Sequence, residues 1–378
     1  MVGGGQGAFI GKIHRMAAQL DEGMELVCGA FSSDPVRSRA SGEALFLPPH
    51  RCYPDYETLY REEKKLPEGE RMDFVVIVTP NHVHYDAASK ALSNGFAVVS
   101  DKPATFNLKE AQALAEEVKQ TGQLYCLTHN YSGYPMVKEA RALVNAGKLG
   151  KIRKVVVEYP QGWLNESLES TGQKQASWRT DPSKAGAAGC LGDIGTHAEH
   201  LLRYTSGLSI KSLSAHLHTH VEGRALDDDV QMLLRLSNGG TGVLQASQIA
   251  VGEENALRIF IYGEHAGLEW HQMEPNTLIF KPQDAPAQHL RTGVGSFESG
   301  AASIIPRVPP GHPEGFIEAF ANVYRGFGAG LRSHLGMDPG EDSCMDYPSI
   351  EDAVAGMAFV EAVLKSSHAN AAWTCIQK

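Results

Sequence analysis

The sequence predicts an α/β protein of two domains: an N-terminal doubly wound parallel sheet, then a C-terminal α/β domain on an open, mainly antiparallel sheet. Three observations carry that reading. A glycine-rich turn opens the chain at Gly3, strand and helix signals alternate from there to residue 130, and past Asn130 extended segments are joined by hairpin signals. Strand–helix alternation places crossover helices over a parallel sheet, whereas strands joined by tight turns pair antiparallel. The 378 residues suit two domains, 1–130 and 131–378, since single domains usually hold about 100–200.

The first element is the glycine turn itself. It leaves only Met1 and Val2 for the strand that should precede it. Strands usually run about 5–6 residues, so further residues upstream are expected. Phe9, Ile13, Met16, Ala17 and Leu20 then recur at helical spacing. A short apolar strand over 25–31 ends in Ser32-Ser33-Asp34-Pro35, and helices are expected over 35–44 and 56–65. The run Phe74-Val75-Val76-Ile77-Val78 is continuously apolar and mostly β-branched, the mark of a strand buried on both faces. A helix over 85–94, a strand over 97–100, a helix over 108–121 and a strand over 124–128 complete the alternation.

In the second domain a helix over 136–146 stops at Gly147. Extended segments follow over 152–159, 210–221, 229–236, 241–250, 256–263 and 267–271, with Asn238-Gly239-Gly240 as a hairpin turn. Helices are expected over 196–205, 315–327 and 350–366.

Composition narrows the function. Hydrophobic residues at 42% and charged residues at 21% are too apolar for disorder. The net charge of −10, with no basic stripe, argues against nucleic acid and anionic membrane as partners. No apolar run approaches the ~20 residues of a membrane span, and no secretory signal is expected. Cys28, Cys52, Cys126, Cys190, Cys344 and Cys375 form no C-x-x-C pair, which suits reduced thiols in a cytoplasmic enzyme.

The opening run Val2-Gly3-Gly4-Gly5-Gln6-Gly7-Ala8 contains G-x-G-x-x-A as Gly3, Gly5 and Ala8, with Gly7 between. Glycine lets the backbone turn tightly and approach a pyrophosphate, and the following helix aims free N–H groups at it. NAD-preferring sites usually place an acid at the tip of the second strand. Here Ser32 or Ser33 holds that position, with Asp34 just beyond and Arg37 one turn later. Serine with arginine would admit the 2′-phosphate of NADP, while Asp34 equally fits a helix cap. NAD and NADP both stay open.

Three further motifs are specific. They are Val78-Thr79-Pro80-Asn81-His82-Val83-His84, Ser100-Asp101-Lys102-Pro103, and Gly192-Asp193-Ile194-Gly195-Thr196-His197. Their order and strand-end positions resemble the glucose–fructose oxidoreductase / inositol dehydrogenase (Gfo/Idh/MocA) family. The likeness extends to Gly315-Phe316-Ile317-Glu318-Ala319-Phe320-Ala321-Asn322 and to Tyr347-Pro348 with Glu351-Asp352, so it covers essentially the whole chain. It departs at the glycine loop, where Gly11-Lys12-Ile13-His14 looks like the family's loop end but lies several residues downstream. It departs also at the serine in place of the ribose acid.

What the resemblance implies is a Rossmann domain, hydride transfer between NAD(P) and a secondary alcohol or ketone of a sugar or cyclitol, and a homodimer or homotetramer formed through the C-terminal sheet. Lys102 would bond the reacting oxygen, although its position also fits a surface lysine before Pro103. His197 would be the general base, its ordinary pKa suiting proton exchange near neutrality. Asp193 would bond a substrate hydroxyl or orient His197, and the same residue type caps helices. Thr79, Pro80, Asn81, His84 and Asp101 would line the cofactor cleft. Tyr131, Trp163, Lys174, Trp178 and Arg179 are candidate substrate contacts, aromatic rings suiting the apolar face of a pyranose or cyclitol; a long loop with tryptophans also fits a core cover. His216, His218 and His220 share a strand face but lack a carboxylate or cysteine partner, and no metal is expected there or at Asp193, His197 and His200. Asp227-Asp228-Asp229 reads as a polar turn. An NAD-dependent glycosidase using transient ring oxidation, or a silent NAD(P)-binding regulator, would be compatible with much of this pattern.

Overall fold

The computed structural model describes residues 1–304, 306–340 and 344–377. The chain forms two compact units, Met1–His129 with Phe320–Val354, and Asn130–Ala319 with Ala355–Lys378.

In the first unit β1 (Val2–Gly3), α1 (Phe9–Gln19), α2 (Pro35–Ala44), α3 (Tyr56–Glu63), β2 (Phe74–Val78), α4 (Asn81–Ser93), β3 (Ala97–Ser100), α5 (Leu108–Thr121) and β4 (Tyr125–Leu127) follow one another. The sheet runs β1-β2-β3-β4, all parallel. The strand expected over 25–31 is reduced to bridges, Val2 with Ala30 and Gly29 with Cys52. Its backbone bonds to neighbouring segments reach Met1, Gly3, Gly5, Arg51 and Tyr53, because β1 offers two residues to pair with. Counting those bridges, the lateral order is Cys52, Gly29–Ala30, β1, β2, β3, β4, so chain direction across the sheet reverses beside β1. That reversal is where open α/β sheets leave a crevice at their carboxyl ends. Local chemistry sets the helix ends: Asn107 caps α5 by accepting the Glu110 amide, and Gly122 ends it in the left-handed conformation.

The second unit contains α6 (Pro135–Asn145), β5 (Lys154–Pro160), α7 (Lys174–Arg179), α8 (Pro182–Ala185), α9 (Thr196–Ser206), β6 (Ile210–His218), β7 (Asp229–Leu236), β8 (Thr241–Ser247), β9 (Arg258–Tyr262), β10 (Ala266–His271), β11 (Thr277–Pro282), β12 (Gln288–Arg291) and α10 (Gly300–Ile304). Its sheet has the order β12-β11-β10-β9-β5-β8-β7-β6, extended by β13 (Thr374–Cys375). All pairs are antiparallel except β5 with β8. One face buries Val155, Val157, Met232, Leu234, Ile259 and Trp270 in a core shared with Met136 and Leu201 of α6 and α9. β11, β12 and β13 are strands beyond those expected, and the Trp178 segment is a helix rather than a loop.

Helices α11 (Phe316–His334) and α12 (Ile350–His368) span the division between the units. Residues 320–354 pack in the first unit, whereas the sequence reading assigns them to the C-terminal domain. The cause is aromatic. Phe327 packs against Phe74 at 5.2 Å, Tyr324 bonds His14 Nδ1 at 2.7 Å, and the Pro348 carbonyl accepts the Leu127 amide at the edge of β4. Among the described residues no helix is long and apolar enough to cross a membrane.

Candidate active site

The glycine turn is built at the end of β1. Gly3 has φ +79°, and a Cβ there would lie 2.8 Å from the Val78 carbonyl oxygen, so only glycine lets the turn leave the sheet beside β2. Gly5 donates to the Phe31 carbonyl and accepts the Ala8 amide, closing the turn over Gln6 and the exposed Gly7. Ala8 is the N-cap of α1, not the point where helix and strand come together. That role falls to Gly11, where a Cβ would sit 2.4 Å from Gly4 Cα. The G-x-G-x-x-A spacing therefore ends one helical turn too early.

α1 begins with no side-chain cap and no acid in its first turn, so its free amides suit an anion. Thr79 Oγ1, at the end of the neighbouring strand, is buried without a protein partner. These features fit a dinucleotide. Ser32 accepts the Asp34 amide, and Asp34 caps α2 through the Val36 and Arg37 amides. Ser33 and Arg37 are exposed.

The strand-end loops after β2 and β3 are tied together by His84. Its ring, 1% exposed, sets Nε2 2.8 Å from the Thr79 carbonyl and Nδ1 2.7 Å from the Pro103 carbonyl. A side chain so engaged positions the cleft loops rather than lining them. Pro80 is exposed and Asn81 opens α4, buried. Asp101 accepts the Lys102 amide at 2.8 Å and the Thr128 hydroxyl, which fixes the backbone from which the half-buried Lys102 side chain departs. The Lys102–Pro103 peptide is cis.

In the second unit a π-helical turn, Leu191–Gly195, runs directly into α9 and carries Asp193 ahead of His197. Asp193 Oδ2 accepts Gln248 Nε2 at 2.8 Å and Arg179 Nε at 3.2 Å. The Arg179 guanidinium lies 4.2 Å over the Trp178 ring and 5.9 Å from that of Trp163. Three of the expected substrate contacts thus gather round Asp193. Lys174 does not join them; it stands exposed at the start of α7.

Tyr131 is 4% exposed and its hydroxyl is spent on Tyr159 at 2.5 Å and Asn255 at 3.1 Å. Its ring meets that of His197 edge-on at 4.9 Å. The network continues through Asn255 to Gln161 and on to the Trp163 indole, so Tyr131 backs His197 from within the core. His216, His218 and His220 stand exposed with ring centroids 4.0 and 5.1 Å apart along the row.

Sequence reasoning missed Gln248, which no local signal marks, and Asp227, whose acidic neighbours disguised it as a turn. Asp227 accepts the Gly189 and Leu191 amides at 2.6 and 2.7 Å.

A family model described as an oxidoreductase family with an NAD-binding Rossmann fold matches residues 1–129, and one for the GFO/IDH/MocA C-terminal domain matches residues 137–269. The Bacillus subtilis oxidoreductase YfiI is 31% identical over 99% of this chain and 95% of its own length. The chain belongs to the Gfo/Idh/MocA oxidoreductase family. Its fold agrees with that of an inositol dehydrogenase homolog from Azotobacter vinelandii complexed with NAD+: TM-score 0.93, 36% identity, covering 99% of this chain and 96% of that one. A complex of such a homolog from the same organism with NADH and myo-inositol superposes with TM-score 0.90 at 34% identity, covering 99% and 96%. As a Gfo/Idh/MocA member, this protein is an oxidoreductase with an NAD-binding Rossmann domain.

Proposed function

We propose that this oxidoreductase oxidises a secondary alcohol of a cyclitol or sugar ring, with NAD as the cofactor. The observation that carries the reading is Asp193 held between Gln248 and Arg179 beside two tryptophans. Carboxylate and guanidinium bond ring hydroxyls, while an indole face suits the ring's axial C–H surface. The myo-inositol in the Azotobacter complex supports the cyclitol class, and the NAD+ of its companion supports the cofactor.

Bound NAD supplies the hydride acceptor. His197 takes the hydroxyl proton, Lys102 steadies the oxygen as negative charge develops, and Asp193 orients the ring. His84 and Asp101 hold the loops from which Lys102 acts. Gly3, Gly5 and the first turn of α1 receive the pyrophosphate; Ser32, Ser33, Asp34 and Arg37 border the adenosine ribose, where Arg37 leaves NADP as the competitor to measure.

The outer face of the second sheet supports self-association. Leu233, Val243, Val156 and Phe260 stand in register across β7, β8, β5 and β9, with Leu233 55% exposed. A polar row from Gln231 through Gln245 and Glu158 to Arg258 flanks them, giving an apolar centre with a polar rim. Free cysteines, four of them buried, support a reducing compartment such as the cytoplasm.

The test is titration of the purified chain with NADH and NADPH, followed by an absorbance screen of inositols, sugars and their keto forms. Turnover on a ring polyol that Lys102→Ala and His197→Ala each abolish is the expected result. Full turnover in either variant would sink the role assignment. Cleavage of a chromogenic glycoside without net NADH would transfer the reading to a glycosidase.

A further inference from the structure

We propose that Asp227 is a positioning residue whose carboxylate, by accepting the Gly189 and Leu191 amides, fixes the turn that presents Asp193 and His197, and that protonating it disengages that turn. This rests on the reading of Asp193 and His197 as groups that act on substrate.

Three consecutive amides end on this one residue. The Asp227 side chain takes Gly189 N at 2.6 Å through Oδ1 and Leu191 N at 2.7 Å through Oδ2, and its carbonyl takes Cys190 N at 2.8 Å. The approach is so close that a Cβ on Gly189 would lie 2.3 Å from the Asp227 carbonyl oxygen. Gly189 in turn accepts the Asp193 amide at 2.9 Å, so an unbroken line of bonds leads from the Asp227 carboxylate to the acid of the π-helical turn. The neighbouring Asp228 carbonyl accepts the Gln248 amide, and Gln248 holds the other end of Asp193. One acidic pair thereby sets Asp193 from both sides.

A charged carboxylate in this place calls for an explanation. Asp227 is 8% exposed, and burying a charge is unfavourable unless its lone pairs are used. Both oxygens are used as acceptors, which an amide side chain, with one acceptor oxygen, cannot reproduce. The groups facing it are the Cys190 thiol on the turn, pushed well above its ordinary range by burial, and the Asp228 carboxylate. Asp228 is itself bound by Arg224 at 3.2 Å and by the His220 and Val221 amides. Asp193 and Asp229 add negative charge around Cys190. Burial pushes the Asp227 carboxyl up to about 6; the Asp228 charge adds to this, and the Leu191 and Gly189 amides oppose it. Its ionisation therefore changes just below neutrality. The protonated form turns one acceptor oxygen into an O–H facing an N–H, so one of the two anchoring bonds is lost.

The experiment is an NMR pH titration of the full-length chain without substrate. The Gly189 and Leu191 amide protons should move together with a midpoint near pH 6, as bonds to an ionised acceptor are lost. With isotope-labelled histidine, the His197 ring signal, assigned by its absence in His197→Gln, should show an inflection at the same midpoint. Asp227→Asn should remove that inflection from His197. Flat amide shifts in the wild-type chain, or a His197 curve unchanged in Asp227→Asn, would overturn the proposal; the amide measurement decides by itself if the variant does not fold. Neither signal depends on turnover, so a failed polyol screen and a failed titration remain distinguishable.

Discussion

Gln248, at the end of β8, donates its side-chain amide to the Asp193 carboxylate at 2.8 Å, joining residues 55 positions apart in sequence. Gln248 is buried and Asp193 is only slightly exposed, so little water competes for the bond. Arg179, which also bonds the Asp193 carboxylate, is only partly buried.

Replacing Gln248 by leucine should remove the shorter of the two side-chain bonds described for the Asp193 carboxylate. Hydrogen bonds to charged groups are worth about 1.5–3 kcal/mol, so kcat/KM on the best polyol should fall by roughly 10–100-fold. NADH affinity, set in the first unit, should not change. Steady-state kinetics beside a fluorescence titration would separate the two.

The glycine turn makes a paired prediction. Gly11→Val would drive a side chain into Gly4, whose Cα stands 2.4 Å from the new Cβ, and the glycine loop must shift. NADH affinity should drop at least about tenfold, equivalent to ~1.4 kcal/mol. Ala8→Ser, at an N-cap position that favours serine, should leave binding nearly unchanged. Equal losses in the two variants would return the close-contact role to Ala8.

His14 predicts an acid sensitivity of the first unit. Burial pushes it from 6.5 down to about 4, the Asp101 charge opposing and Arg15 and His84 assisting. Its Nδ1 is bonded to Tyr324, and its Nε2 has no partner among the described residues. Between those two pH values the unfolded chain binds a proton that the native fold excludes. Stability is therefore lost as pH falls from 6.5 towards 4, by on the order of 3 kcal/mol in full, and is unaffected above 6.5. Urea unfolding at neutral pH and near pH 4 should show the loss, and His14→Gln should flatten it.

Leu233 tests self-association. A charge placed at the centre of an apolar interface costs several kcal/mol when unpaired, so Leu233→Arg should convert a dimer or tetramer to a smaller species in sedimentation velocity. Its outward position on β7 predicts no loss of thermal stability in the separated chain. An unchanged sedimentation coefficient would move the interface elsewhere.

The parallel sheet was legible because its strands are short apolar runs between helical patterns: 74–78 and 97–100 announce themselves by composition alone. The residues proposed to react were nominated by the sequence too, because Lys102, Asp193 and His197 sit in compact motifs that local spacing reveals. What the sequence could not decide was which side chains are consumed in holding the others. His84 and Tyr131 carry the residue types of ligand contacts, yet one is fastened to two carbonyls and the other to Tyr159 and Asn255. Gln248 and Asp227 lack any local mark because their partners lie 55 and 36–38 residues away. Likewise the return of residues 320–354 to the first unit depends on Phe327 meeting Phe74 and on Tyr324 meeting His14. Periodicity and motif are properties of neighbours in the chain, so the sequence by itself determined most of the elements and the motifs that nominate the reactive groups. Burial and hydrogen-bond partnership are properties of neighbours in space, and only the tertiary structure decided those.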